Sequence, residues 1–226
     1  ARVAKGFRAP SIQGRLLFGD SVSVANAEKV ISTEVGIKSD LWEKRARLSA
    51  NLFHYDVKDL QLTAVGGSAN FNRLLNASKA TGQGAELDFQ AYITDNLLFS
   101  IGGSINDTQI KDGNLRTQVC GSGCTFTDPV TTPAAGFSAA IVSINGNPLP
   151  QAPKYVANTS LKYSMPMAGG EFFVVTDWAY RSKINFFLYE AKEYTGKALV
   201  EGGLRVGYKW ADGKYEAAVY SRNITN

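Results

Sequence analysis

The sequence predicts an all-β protein: an antiparallel, up-and-down transmembrane β-barrel, here represented by about nine of its strands. Three observations predict it. Apolar and polar residues alternate with period two along most of the 226 residues. The connections between the alternating segments are tight and long in turn. The longest apolar runs, such as Phe172-Phe173-Val174-Val175, fall far short of the roughly 20 residues a membrane-crossing helix needs. Only a closed barrel could then cross a membrane.

Composition narrows the alternatives. The chain has 24 Lys and Arg, 20 Asp and Glu and a single His, with 44% hydrophobic and 19% charged residues. That apolar share is enough to build a core or a lipid face, which excludes disorder as the main state. A net charge of +4, spread along the chain, gives no basic patch of the kind that binds nucleic acid. Ala1 to Pro10 is polar and basic, without the apolar stretch of a signal peptide.

Strands are expected near 1–8, 29–40, 45–62, 71–93, 96–110, 153–165, 171–183, 194–210 and 214–222. In the sixth, Tyr155, Ala157, Thr159, Leu161, Tyr163 and Met165 share one face, and Val156, Asn158, Ser160, Lys162 and Ser164 the other. In the eighth, Ala198, Val200, Leu204, Val206, Tyr208 and Trp210 oppose Glu201, Arg205 and Lys209. Several of these segments exceed the five or six residues usual for a soluble strand and match a strand tilted across a bilayer.

The short connections, Asp40–Lys44, Thr94–Asn96, Pro166–Gly170 and Ala211–Gly213, carry turn residues. The long ones are Pro10–Lys29, Thr63–Asn70, Lys111–Ala152 and Lys183–Glu193. In a meander, successive connections lie at opposite ends, so one end has only turns and the other only loops. Outer-membrane barrels sort their connections in this way. The polar face agrees: Glu34, Lys38, Arg47, Glu86, Asp88, Lys162, Glu201, Arg205 and Lys209 would stand on one side. As the inside of a sandwich they would be buried unpaired at several kcal/mol each; in a wet or plugged lumen they are solvated or paired. Trp42, Phe53, Tyr55, Tyr163, Trp178, Tyr180, Tyr208 and Trp210 gather toward strand ends, where interfacial girdles sit.

Five segments, in order, carry a resemblance. Gly6-Phe7-Arg8-Ala9-Pro10-Ser11, Glu28-Lys29 followed by Glu34-Val35-Gly36-Ile37-Lys38, Asn76 through Glu86, Pro150-Gln151-Ala152-Pro153-Lys154 and Arg222-Asn223-Ile224-Thr225-Asn226 resemble motifs of the TonB-dependent outer-membrane receptors. The resemblance implies a barrel of about 22 strands with a plugged lumen, in the outer membrane of a Gram-negative bacterium. It implies uptake of a scarce solute, most often an iron–siderophore complex, with haem, cobalamin, metals and oligosaccharides as other cargoes. Energy would come from the TonB complex acting through a plug domain. Residues 1–226 then read as a partial barrel domain, with the plug and the last strand, which ends in an aromatic, lying outside this sequence. The other partners implied are outer-membrane lipid and the small-molecule cargo, and no cofactor is expected.

Site candidates follow. Cys120 and Cys124 sit in a Gly-, Ser- and Thr-rich stretch and read as a loop disulfide; a metal site would lack further ligands. The loop holding them, 111–152, is too long for a plain connection and is a candidate vestibule wall. Phe126, Phe137, Asn145, Phe186, Phe187 and Tyr189 are the candidate ligand contacts in the long loops. Glu86, Asp88, Lys162, Glu201, Arg205 and Lys209 are candidate lumen charges. His54, the one histidine, supports no His-based catalysis, and Gly82-Gln83-Gly84 lacks the third glycine of a dinucleotide loop. An enzyme is not expected. A non-transporting outer-membrane barrel and a soluble β-sandwich binding module stay open as other readings.

Overall fold

The computed structural model describes residues 1–14, 22–67, 71–131 and 140–225. Nine strands pair in sequence order into one antiparallel sheet. They are β1 Arg2–Arg8, β2 Glu28–Leu41, β3 Ala46–Gly66, β4 Phe71–Thr94, β5 Leu97–Ile110, β6 Tyr155–Met167, β7 Gly170–Arg181, β8 Leu199–Trp210 and β9 Tyr215–Arg222. Each strand pairs with its neighbours in the chain, as a meander requires.

The register sorts the side chains. Val35, Leu52, Ala85, Ile105 and Tyr155 stand opposite one another across five strands. Three positions along, Lys38, Ser49, Asp88, Gly102, Asn158, Ala179 and Glu201 form a row across seven. Because side chains alternate faces, the first row belongs to an apolar face and the second to a polar one. The same pairing puts Glu86, Lys162, Arg205 and Lys209 on the polar face with Asp88 and Glu201. Arg205 and Lys209 both reach Glu216, and both lie over the Phe173 ring, at 5.5 and 5.2 Å from its centroid. On the apolar face no second layer covers the sheet among the described residues: Val35, Ile37 and Leu52 are each more than half exposed. This single open sheet is not the sandwich kept as an alternative reading.

Four tight hairpins close one end. Ala168 and Gly169 have φ of 49° and 78°, the pair of left-handed residues that a two-residue turn matched to strand twist demands. Tyr208, Trp210 and Tyr215 stack beside such a turn, and Trp42 meets Phe89 edge-on beside another.

The structure corrects the expected pattern in three places. Phe53 and Tyr55 stand on the polar face, opposite Glu34 and Ser32, and not in an apolar girdle. Their odd positions on β3 share the parity of Arg47 and Ser49. Their rings cover Gly84 and Gly82 on β4, and a β-carbon at Gly82 would collide with the Tyr55 ring. The segment 63–66, expected as loop, continues β3, and β4 starts at Phe71. These strands therefore run 21 and 24 residues, about twice what a bilayer crossing needs. Finally, residues 194–198 do not belong to β8. Thr195–Gly196 pairs instead with Ile184–Asn185, after a 3-10 turn at Lys192–Tyr194.

Candidate functional site

The end opposite the hairpins carries a buried apolar cluster. Leu62, Ala64 and Ala77 of the extended β3–β4 hairpin pack with Ile110, Val119, Val142, Ile144, Leu188, Tyr189 and Ala191. The elements that meet there are the hairpin, the segment 111–154 and the segment 182–198. Loops that leave a sheet for water must bury their own apolar groups to hold a shape.

The hairpin bends where it leaves the wall. Asp59 has φ 54°, and the ladder skips from Lys58–Lys79 to Leu60–Ala77. The Ser78 N–H, freed there, donates to Asp112 Oδ2 at 2.8 Å. The Asn114 and Leu115 N–H groups donate to Asp112 Oδ1 at 3.0 and 3.1 Å. Burial works to raise the Asp112 pKa, but these bonds outweigh it and hold the carboxyl low. The start of the long loop is thus fastened to the bend.

Arg116–Gln118, Ile141–Ser143 and Val130–Thr131 then form a small three-stranded sheet. It docks on the hairpin tip: the Gly67 N–H donates to Val119 O at 2.8 Å. A β-carbon on Gly66 would collide with the Gln118 carbonyl, so the close approach needs glycine there. Cys120 and Cys124 are disulfide-bonded, with Cα atoms 6.3 Å apart.

The two long loops are zipped together. Thr127 N–H donates to Glu190 O at 2.9 Å and Lys192 N–H to Thr125 O at 3.0 Å. Asp128 sits in the seam, accepting from Asn147 Nδ2 at 3.0 and 3.1 Å and from Glu190 N–H at 2.7 Å. Burial nonetheless pushes its pKa up. At the seam's edge Thr125 N–H and Oγ1 donate to Glu193 at 2.7 and 3.0 Å, and the first of these bonds holds the Glu193 pKa down. Tyr189 is 2% exposed, and burial, helped by Tyr194, pushes its phenol up to about 12.

The ligand-contact candidates are distributed unevenly. Phe187 stacks on Tyr189 at 5.6 Å and meets Tyr194 edge-on at 4.6 Å. Phe126 packs against the same cluster and bridges to Ala191. Asn145 is exposed and its Oδ1 accepts from Asp112 N–H at 2.9 Å. Phe186 is 45% exposed. Phe137 lies outside the described residues.

Two cavities were not legible in the sequence. One, of about 470 Å³, is lined by Phe71, Arg73, Leu75, Arg116, Gln118 and Ile141 at the hairpin tip. Arg116 Nη1 is anchored on the Gly113 and Leu115 carbonyls at 2.8 and 2.9 Å. Two arginines lining one hollow of mixed polar and apolar walls suit an anionic group. The other, of about 660 Å³, lies where β6 stops short of β5. Asn106, Gln109, Pro148, Tyr180 and Asn185 help line it. Its arginine-free lining includes Asn185, whose buried Oδ1 has no partner. Nothing in the spacing of Arg73 and Arg116 predicts that they line one hollow, because strand pairing and a loop sheet place them there.

Comparison with known proteins agrees with this architecture. A family model, TonB dependent receptor-like, beta-barrel, matches residues 1–226. No curated protein matches. Among solved structures, the ferric yersiniabactin uptake receptor FyuA from Yersinia pestis superposes with a TM-score of 0.69 at 18% identity, over 99% of this chain and 29% of that one. The siderophore receptor PiuA from Acinetobacter baumannii gives 0.62 at 18%, over 88% and 25%. The ferric-catecholate import receptor Fiu from E. coli gives 0.61 at 16%, over 99% and 28%. The chain thus spans less than a third of the length of these structures. With one meandering sheet, connections sorted by end and a family match over its whole length, the chain belongs to the TonB-dependent receptor β-barrel family.

Proposed function

We propose that this chain forms part of the wall and outer loops of a Gram-negative outer-membrane receptor. Such a receptor takes up a ferric siderophore with energy from the TonB complex, acting through a plug domain outside these residues. The family comprises receptors and transporters, not enzymes. The observation that carries the reading is the loop assembly: a buried core at one end of an otherwise open sheet holds two arginines, Arg73 and Arg116, around a hollow. A ferric siderophore with ionised catecholate, hydroxamate or carboxylate groups offers the anionic oxygens those guanidinium groups bind. The structural neighbours are named as a ferric yersiniabactin uptake receptor, a siderophore receptor and a ferric-catecholate import receptor. Phe186 supplies an exposed ring for an apolar or aromatic part of the cargo, while Phe126, Phe187 and Tyr189 shape the loops behind it. Glu86, Asp88, Lys162, Glu201, Arg205 and Lys209 face the lumen, and the apolar face meets lipid.

The test is uptake by the full-length receptor in iron-starved cells, using radiolabelled iron on a panel of siderophores. Uptake of at least one complex, abolished when the TonB complex is deleted and reduced about tenfold or more by Arg73→Ala with Arg116→Ala, is expected, since each charge-assisted bond is worth about 1.5–3 kcal/mol. Uptake that survives loss of the TonB complex, or binding indifferent to both arginines, would overturn the assignment.

A further inference from the structure

We infer that the cavity at the ends of β5, β6 and β7 opposite the hairpins binds an uncharged sugar ring. It shares no lining residue with the hollow at Arg73 and Arg116, so it is a second site.

Unequal strand lengths create the space. β5 runs to Ile110, but its ladder with β6 ends at Ile105 and Tyr155. Asn106 N–H still donates to Lys154 O at 2.9 Å, and the backbones meet again where Ile110 N–H donates to Asn147 O at 2.9 Å. Asn185 and Thr195, partners in the small ladder of Ile184–Asn185 with Thr195–Gly196, line another side. The volume of about 660 Å³ lies within the span of about 300–1,000 Å³ usual for small-molecule sites. Thr108, Ser182 and Asn185 in its lining are buried. Asp107, Gln109, Lys154, Tyr155 and Tyr180 are exposed and form its rim.

The buried part asks for a donor. Asn185 is 8% exposed. Its Nδ2 donates to Phe187 O at 2.7 Å and to Tyr189 O at 2.8 Å, which spends both hydrogens, while its Oδ1 has no partner. Asn106 Oδ1 is likewise buried without a partner. Buried acceptors are ordinarily paired, so two unpaired ones on a single cavity call for a ligand carrying O–H or N–H groups. Glu190 adds a carboxylate to the lining. Its backbone is held at both ends, N–H to Asp128 Oδ2 at 2.7 Å and O from Thr127 N–H at 2.9 Å.

Charge and aromatic rings identify the class. Asp107 and Glu190 balance Lys154 and Lys183 in the lining, and Asp107 pairs with Lys154 at 2.8 Å. A balanced site favours an uncharged ligand. Tyr180 stands opposite Ala157 on β6 and therefore diagonal to Tyr155 on the same face. Diagonal neighbours lie about 7–8 Å apart, within reach of long aromatic side chains, and tyrosine offers a flat apolar ring with a polar tip. A sugar ring has C–H groups on its faces and hydroxyls around its edge, so it matches the tyrosines and the acceptors together. A plain apolar ring would leave both asparagine oxygens unpaired. An inorganic anion would bring more acceptors to them.

The experiment uses the full-length receptor in a sugar-free detergent, read by saturation-transfer difference NMR. The probes are methyl α-glucopyranoside, methyl β-galactopyranoside and N-acetylglucosamine, with tetrahydropyranylmethanol as the same ring stripped of most hydroxyls. At least one sugar is expected to bind, and the stripped ring on the order of tenfold more weakly, since its lost hydroxyls leave acceptors unpaired. Tyr180→Ala with Glu190→Ala should weaken sugar binding about tenfold or more, through loss of a ring contact and a charge-assisted bond. Lys44→Gln with Lys214→Gln, at the hairpin end, should change nothing. No binding of any sugar, equal binding of the stripped ring, or binding indifferent to Tyr180 and Glu190 would overturn the inference. The comparison of probes needs no variant to fold. A receptor that binds the sugar yet takes up no siderophore would remove only the reading of the arginine hollow, and one that takes up a siderophore yet binds no sugar would remove only this site.

Discussion

The wall and the loop assembly are made from similar residues and stabilised against different surroundings. In the wall, Val35, Ile37 and Leu52 are more than half exposed, with no second layer of the described residues upon them. In the loop assembly, Ile110 at the end of β5 and the loop residues Val142 and Ile144 are completely buried. Lipid tails are as apolar as leucine side chains, so a wall residue loses nothing by facing them and needs no partner. A loop residue facing water needs one. Sequence-local alternation is enough to build the first region. The second depends on contacts between segments more than 40 residues apart, such as Asn147 with Leu188.

The largest effect expected from this contrast is at Tyr189. Tyr189→Ala empties a site at the centre of the loop core and should cost the loops about 3–5 kcal/mol, as large-to-small core changes do. Hydrogen exchange should rise across 111–131 and 184–196, while the barrel keeps its heat-modifiable mobility. Loss of the folded barrel in the same variant would show that the two regions are one cooperative unit. Next comes Leu87→Arg. Leu87 lies at mid-height on the apolar face, opposite Ala50 and Gly103, where a cation should cost about 2–4 kcal/mol. Ser49→Arg, on the polar face beside Asp88, should cost close to none of this. Urea titrations of folding into vesicles, followed by tryptophan fluorescence, measure both. Equal costs would mean the faces have been assigned the wrong way round.

The same contrast explains what could be read from the sequence. The main-sheet strands are visible in the alternation because a single-layer sheet with one apolar and one polar face repeats every second residue. That Glu86, Asp88, Lys162, Glu201, Arg205 and Lys209 share one face of the sheet follows from parity alone. Parity could not place Phe53 and Tyr55. Aromatic rings are as much at home over a cross-strand glycine as in a girdle, and only the register with Gly84 and Gly82 decides. The extension of β3 to Gly66 was hidden because Gly66-Gly67 looks like loop. Those glycines serve the approach of Gln118 and Val119, a contact made by a segment some fifty residues away. The arginine-lined hollow and the seam at Asp128 were hidden for the same reason.

The disulfide should matter less than the core and only locally. It closes a loop of four-residue separation, and the entropy of closing so short a loop is worth about 2 kcal/mol. Cys120→Ser with Cys124→Ser should speed tryptic cleavage after Arg116 and leave the urea midpoint of the wall unchanged. A shifted midpoint would mean that loop strain reaches the sheet through Gly67.

The smallest effect is a pH response confined to the loop seam, where two carboxyls pull in opposite directions. Burial raises Asp128 from 3.8, so the folded loops bind its proton more tightly than the unfolded chain does. Its contribution is therefore present below the unfolded pKa and lost as pH rises through the folded one. Glu193 is lowered from 4.5 by the Thr125 N–H. Its contribution is present above the unfolded pKa and lost as pH falls through the folded one. Across the carboxylate titration range the two slopes oppose each other, and loop protection in the unmodified receptor should change little. Asp128→Asn leaves the Glu193 slope alone, so its loops should loosen on acidification. Glu193→Gln leaves the Asp128 slope, so its loops should tighten. Hydrogen exchange across 125–128 and 190–193 over that range separates the two. If both variants respond with the same sign, the seam does not control the loops' pH response, and protonation elsewhere in the assembly does.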